Sequence, residues 1–340
     1  MKPAVRKVAA VARENGAREN QHYVPKFFLR NFTEPDEKRS DEKIWAFDKS
    51  NSSIFRTNLR NVAAQRGFYD IDDVSIPTES LLSELEGHAA LVLRKIIEER
   101  SVGSLSFAER KWLSIFCAVQ FVRVPNLREK HSAFEDSIKR KIVESGGDVN
   151  SVVGFKPMTA KDLKEFATHI ILRAAKEFAP HFANKVCLLL ETSMSDPFFV
   201  SDNPITLHNE NDFRPYGNLG LAVAGIQIYL PITPTLTLTF WDESVPEHLL
   251  AMVTAFRARF EGNEAETSLR TRVRGTEELI GAAQTGGRAR CASEVVMFLN
   301  SLQVINASRF VMSSTRNFSL ATRMLQEKPH LRQPPLFDMS

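Results

Sequence analysis

The apolar pattern of the chain changes period at Lys185, and that change constrains the fold more than any other feature. Before Lys185, apolar residues recur at the three-and-four spacing of helices; after it, short apolar or alternating runs are parted by polar turns. A helix is expected over 79–99, capped by Thr78. Its apolar face is Leu81, Leu82, Leu85, Ala89, Val92, Leu93 and Ile96. A second, over 107–124, is apolar nearly all round after Trp112, the mark of a buried helix. Pro125 ends or kinks it, a more exposed helix follows over 126–144, and an amphipathic one runs over 159–178. The strand-like runs are 186–190, 198–200, 226–230 and 236–241, with 310–312 as a last strand. Segments 44–47 and 53–56 flank a turn-like stretch and read as a hairpin, and 68–71 as a short strand. Helices are expected over 247–259, 268–283 and 292–302. The expected fold is α+β: a helical bundle packed on a small, mainly antiparallel sheet, in one domain over 20–325. A basic flexible tail, 1–19, and a peripheral tail, 326–340, flank it.

A chain of 340 residues can bury a sizeable core. Its 24 Phe against 4 Tyr favour a dry interior over a tyrosine-rich recognition surface. A net charge of +3 is too small for steep global attraction to nucleic acid and leaves room only for a local basic patch. Cys117, Cys187 and Cys291 lack metal-type spacing and read as thiols in a reducing compartment. No apolar run reaches the ~18 residues of a membrane helix, so no membrane partner is expected. The first twenty residues lack the apolar core of a secretory signal, and Glu14 and Glu19 count against a transit peptide. The expectation is a cytoplasmic protein.

Three polar groups interrupt segments that otherwise build a core. His22, Tyr23 and Arg30 form the first: an imidazole exchanges protons near neutral pH, and a guanidinium grips phosphate or carboxylate. A capping histidine and an arginine paired with a core carboxylate are the simpler explanation, since perturbed ionisable groups often belong to structural networks. In the second, Glu86 falls within the apolar face of the 79–99 helix, with Glu79 a heptad earlier, while Gln120 and Arg123 share a face of the next. Buried charge must find a partner, so Glu86 and Arg123 either pair structurally or wall a pocket. The third, Ser201-Asp202-Asn203-Pro204, follows a strand. It is either a hydrogen-bonded turn or a set of polar side chains delivered to a sheet edge. Asn300 is a lesser candidate. No phosphate-cradling glycine loop, dinucleotide fingerprint, His-Glu-x-x-His, Gly-x-Ser-x-Gly or nuclease carboxylate–lysine signature is present. Asp70, Asp72 and Asp73 suit a solvated loop better than a metal.

Gln21-His22-Tyr23-Val24-Pro25-x-Phe27-x-Leu29-Arg30-x-Phe32 resembles the opening signature of a large, mostly bacterial family defined only as a domain of unknown function, numbered 4238. The resemblance continues through Asn61-Val62-Ala63, Phe68-Tyr69, the 79–86 stretch and Arg123-x-Pro125. It returns in Phe199-Val200-Ser201-Asp202-Asn203-Pro204, Leu230-Pro231-Ile232-Thr233-Pro234, Asn300 and Arg309-Phe310-Val311, and so covers 21–314 as one unit. It implies a grouping rather than a reaction: His22, Arg30, Glu79, Glu86, Arg123, Asp202 and Asn203 converge on one place.

The functional expectation is an enzyme acting on a phosphate-bearing substrate, foremost a nucleic-acid hydrolase in a bacterial defence or toxin-like setting. His22 is the acid or base, and Arg30 and Arg123 hold phosphate. Asp202 orients His22 or a water, Asn203, Ser201 and Tyr23 contact substrate, and Glu79 or Glu86 adds a carboxylate. If a cofactor is used, it is a divalent metal with Glu79 or Glu86 as a ligand. The rival reading is a non-catalytic module that binds a nucleotide or acidic ligand with the same cluster. A third reading makes the cluster structural. Sequence sets neither partner nor oligomeric state beyond this.

Overall fold

The computed structural model describes residues 20–33, 42–68, 78–152, 155, 157–213, 217–260 and 267–333. The tail 1–19, residues 34–41, the aspartates at 70, 72 and 73, and most of the strand expected at 68–71 lie outside them.

The first half begins with β1 (Asn20–His22), α1 (Lys26–Leu29), β2 (Lys43–Asp48), β3 (Ser53–Asn58) and β4 (Ala64–Arg66). The helices follow: α2 (Thr78–Glu99), α3 (Phe107–Val122), α4 (Pro125–Glu144), α5 (Ala160–Glu177) and α6 (Ala179–Ala183). Two of them start on capping boxes, Ser106 with Glu109 for α3 and Thr159 with Asp162 for α5. Thr78, expected as a cap, is instead within α2; its Oγ1 is buried and makes no hydrogen bond among the described residues. The nearly all-apolar α3 is the buried helix its sequence demands, with Phe116, Cys117 and Ala118 essentially inaccessible.

The second half contains β5 (Val186–Glu191), β6 (Val200–Ser201), β7 (Thr206–His208), β8 (Gln227–Thr233), β9 (Leu236–Trp241), α7 (Ser244–Phe260), α8 (Thr267–Thr285), β10 (Arg288–Arg290), α9 (Ser293–Asn306), β11 (Phe310–Ser313) and α10 (Ser319–Glu327). The fold is α+β, as expected, but the strands form three sheets rather than one. The largest runs β10-β5-β9-β8-β7 and is antiparallel except for the β10–β5 pair. A four-stranded antiparallel sheet runs β3-β2-β11-β6, and β1 pairs with β4.

Period-two alternation gives the large sheet two buried faces. Leu189, Ile228, Leu230, Ile232, Leu238 and Phe240 pack with Leu82 and Leu93 of α2, Phe116 of α3 and Phe182 of α6. Leu188, Leu190, Tyr229 and Trp241 pack with Ala282 of α8 and Val296 and Leu299 of α9. A third cluster joins Phe47 and Val311 of the four-stranded sheet to Phe199, Phe318, Ala321 and Leu325. Helix α10 within it was not foreseen. Its end continues into a 3-10 turn, and Arg332 Nη1 donates to Ser52 Oγ at 3.0 Å. No described helix is long and apolar enough to cross a membrane, and the three cysteines are unpaired.

Candidate functional site

The opening signature works as a strand anchored at both ends. Gln21 lies opposite Gln65 and His22 opposite Ala64 in the β1–β4 ladder. The Tyr23 N–H then donates to Ala63 O at 3.0 Å, and Ala63 takes a left-handed backbone (φ 50°) to receive it. Beyond, Phe28, Leu29 and Phe32 are fully buried and pin α1 and the 3-10 turn that follows it into the core. Tyr23 is buried against Phe68, with ring centroids 5.2 Å apart, so it packs rather than presents its ring to solvent.

Beside this strand, α2 carries Glu79 and Glu86 seven residues, about 10 Å, apart on one side. Arg123, the residue that ends α3, lies between strand and helix. Its Nη1 donates to Glu86 Oε1 at 2.7 Å and its Nη2 to the His22 carbonyl at 2.7 Å. The guanidinium side chain is 5% exposed and Glu86 27%, so this is a nearly buried ion pair with one edge open. Gln120, one turn earlier, donates to Tyr23 O at 3.0 Å. Gln21 Nε2 donates to Glu79 Oε1. Gln21, His22, Glu79, Glu86 and Arg123, together with exposed Lys26, line an open cleft of about 520 Å³.

His22 is half-buried in that cleft. Its Nε2 lies 3.2 Å from Leu59 O. A carbonyl only accepts, so Nε2 carries the proton and Nδ1 is the basic nitrogen. Burial pushes its pKa from 6.5 down to about 4, and the nearby Lys26 and Arg123 charges act in the same direction against the Leu59 hydrogen bond. The imidazole is therefore neutral at neutral pH.

Four of the seven residues expected to converge do so: His22, Glu79, Glu86 and Arg123. Arg30, Asp202 and Asn203 do not. Arg30 pairs with Glu42, whose carboxylate is nearly buried. Asp202 is wholly buried, and Oδ1 accepts from the Ser308 N–H while Oδ2 accepts from those of Arg309 and Phe310, each at 2.8 Å. It ties the strand end of β6 to the loop between α9 and β11. Burial outweighs those three donors and raises Asp202 to about 6. Ser201 Oγ donates to Gln303 Oε1 at 2.8 Å, Asn203 Nδ2 to Asn306 O at 3.2 Å, and Asn300 binds Phe199 and Pro197 through its amide. The turn reading of Ser-Asp-Asn-Pro is the one the geometry satisfies.

Gln21, beside His22 in the opening signature, and Lys26, at a position that signature leaves open, also line the cleft and were not singled out from the sequence. Nor was Lys49. That residue is fully buried, its Nζ donates to Ala307 O at 2.6 Å, and burial lowers its pKa to about 8 despite the opposing pull of Asp202 and Glu129. Nothing local signals this, because Lys49 sits in a polar turn. Among the described residues no three His, Cys, Asp or Glu side chains are gathered as metal ligands.

Fold and cleft together define an α+β protein that presents one neutral histidine, two carboxylates and a lysine at an open cleft. The chain belongs to the protein-of-unknown-function family DUF4238, which it matches over residues 20–317. No curated protein and no solved structure matches it.

Proposed function

We propose that the protein is a hydrolase that cleaves phosphodiester bonds, with nucleic acid as substrate, in the cleft around His22. The observation that carries this reading is the meeting of His22, Lys26, Glu79, Glu86 and Arg123 from three separate parts of the chain in one open cleft. With Nε2–H held by Leu59, His22 Nδ1 takes a proton from the attacking water as its oxygen bonds to phosphorus. The imidazolium then returns that proton to the departing oxygen. Exposed Lys26 is placed to hold a non-bridging phosphate oxygen. Arg123 takes a different part from the phosphate clamp expected of it. Its bonds to Glu86 and to the His22 carbonyl fasten the strand to α2, so it is a positioning residue. Nucleic acid is met inside cells, and the cytoplasmic, defence- or toxin-like setting goes with this reading.

One observation favours the rival reading, a module that binds a nucleotide or acidic ligand: an imidazole with a pKa of about 4 is a weak base. A cleavage assay on DNA and RNA, with and without Mg²⁺ or Mn²⁺, separates the two when wild type and His22→Ala are run together. We expect wild-type cleavage, reduced in the variant by about 10²-fold or more, with melting nearly unchanged. Saturable binding without turnover would leave the binding module standing. Absence of cleavage by folded wild type under every condition, or equal cleavage by the variant, overturns the hydrolase.

A further inference from the structure

Helix α2 is followed by Arg100, whose left-handed backbone (φ 51°) turns the chain at the C-terminal end of β5. There a single carboxylate, Glu191, faces three guanidiniums. Arg100 Nη1 lies 3.0 Å and Arg288 Nη1 3.3 Å from Oε1, while Arg290 Nε lies 3.9 Å from Oε2. Arg288 and Arg290 are alternate residues of β10 and so project from one side of it. The parallel register that sets Arg290 opposite Glu191 fixes both against β5. Glu278 Oε1 accepts from the Arg290 backbone N–H at 2.9 Å.

One carboxylate offsets one of these three positive charges. The remainder faces solvent: the side chains are 38% exposed at Arg100, 45% at Arg288 and 82% at Arg290. Arg100 also keeps a buried Nε–H that donates to nothing among the described residues. Planar guanidinium forks converging with charge to spare are suited to an oxyanion with several acceptor oxygens. We infer that Arg100, Arg288 and Arg290 form a phosphate-binding site at the β5–β10 edge of the large sheet. Glu86 and Arg100 are separated by the last fourteen residues' rise of α2, about 21 Å, so this site is distinct from the cleft and does not depend on what the cleft does. The phosphate comes either as a free anion or as part of a polynucleotide strand.

The test uses the full chain and the double variant Arg288→Gln/Arg290→Gln, whose side chains are exposed enough to change without disturbing the core. Inorganic phosphate, compared with chloride at equal ionic strength, should raise the melting temperature of wild type and not of the variant. A fluorescent single-stranded 12-mer, followed by anisotropy, should bind the variant at least tenfold more weakly if the site takes a strand. If the phosphate effect is lost in the variant while 12-mer binding is unchanged, the site stands with free phosphate as its ligand. If neither probe binds wild type, or both bind the two proteins alike, the inference is overturned. Because both readouts are of binding, their failure leaves the cleavage result at the cleft untouched.

Discussion

His22 and Asp202 show how burial decides what an ionisable residue does. Burial moves each away from its ordinary titration, yet one opens to a cleft and the other is closed in by backbone donors. Free imidazole titrates near 6.5 and His22 near 4. Between those values the unfolded chain holds the proton more readily than the native one. The contribution of neutral His22 to stability is therefore full above pH 6.5 and lost as pH falls towards 4. Melting of wild type should drop more steeply between pH 6.5 and 4.5 than melting of His22→Gln, the opposite trend from Asp202 being common to both. Equal slopes in calorimetry would contradict the burial assigned to His22. At Asp202 the expectation concerns stability. Asp202→Ala leaves three inward N–H groups without an acceptor, and each costs about 1–3 kcal/mol. Urea unfolding should show a loss of about 3 kcal/mol or more; a loss below about 1 kcal/mol would contradict the tie between β6 and the α9–β11 loop.

At the scale of elements, legibility follows the length and locality of the signal. The apolar faces of α2 and α5 and the nearly all-apolar run of α3 were readable because each repeats over several turns. So was β9, whose bounds coincide with the expectation. Strands β1, β4 and β10 are three residues each, too short to show a period, and their partners lie far along the chain. Single-sequence patterning has no access to such pairings, which is why one sheet was expected and three are found. Helix α3 illustrates a local signal with a measurable share of stability. The Ser106–Glu109 box satisfies two N-terminal donors, so Ser106→Ala should cost about 1 kcal/mol in urea unfolding, and a neutral result would contradict it.

For the molecule as a whole, the site was half legible. The polar positions in core segments were visible as costs that needed an explanation, and this brought out His22, Glu86 and Arg123. The sequence could not tell which costs are met by ligands and which by the backbone. For Arg30 the partner is Glu42, and for Asp202 it is a loop more than a hundred residues away. Lys49 escaped notice altogether, since its burial arises from a tertiary approach to Ala307. On the proposed reading, the cleft at His22 carries function while the Asp202 turn carries structure. Single-turnover phosphodiester cleavage by His22→Ala and Asp202→Ala, each normalised to its folded fraction, separates the two roles. We expect His22→Ala to lose turnover with its melting intact, and Asp202→Ala to keep turnover per folded molecule while melting lower. Turnover kept by His22→Ala, or lost by fully folded Asp202→Ala, would contradict that assignment.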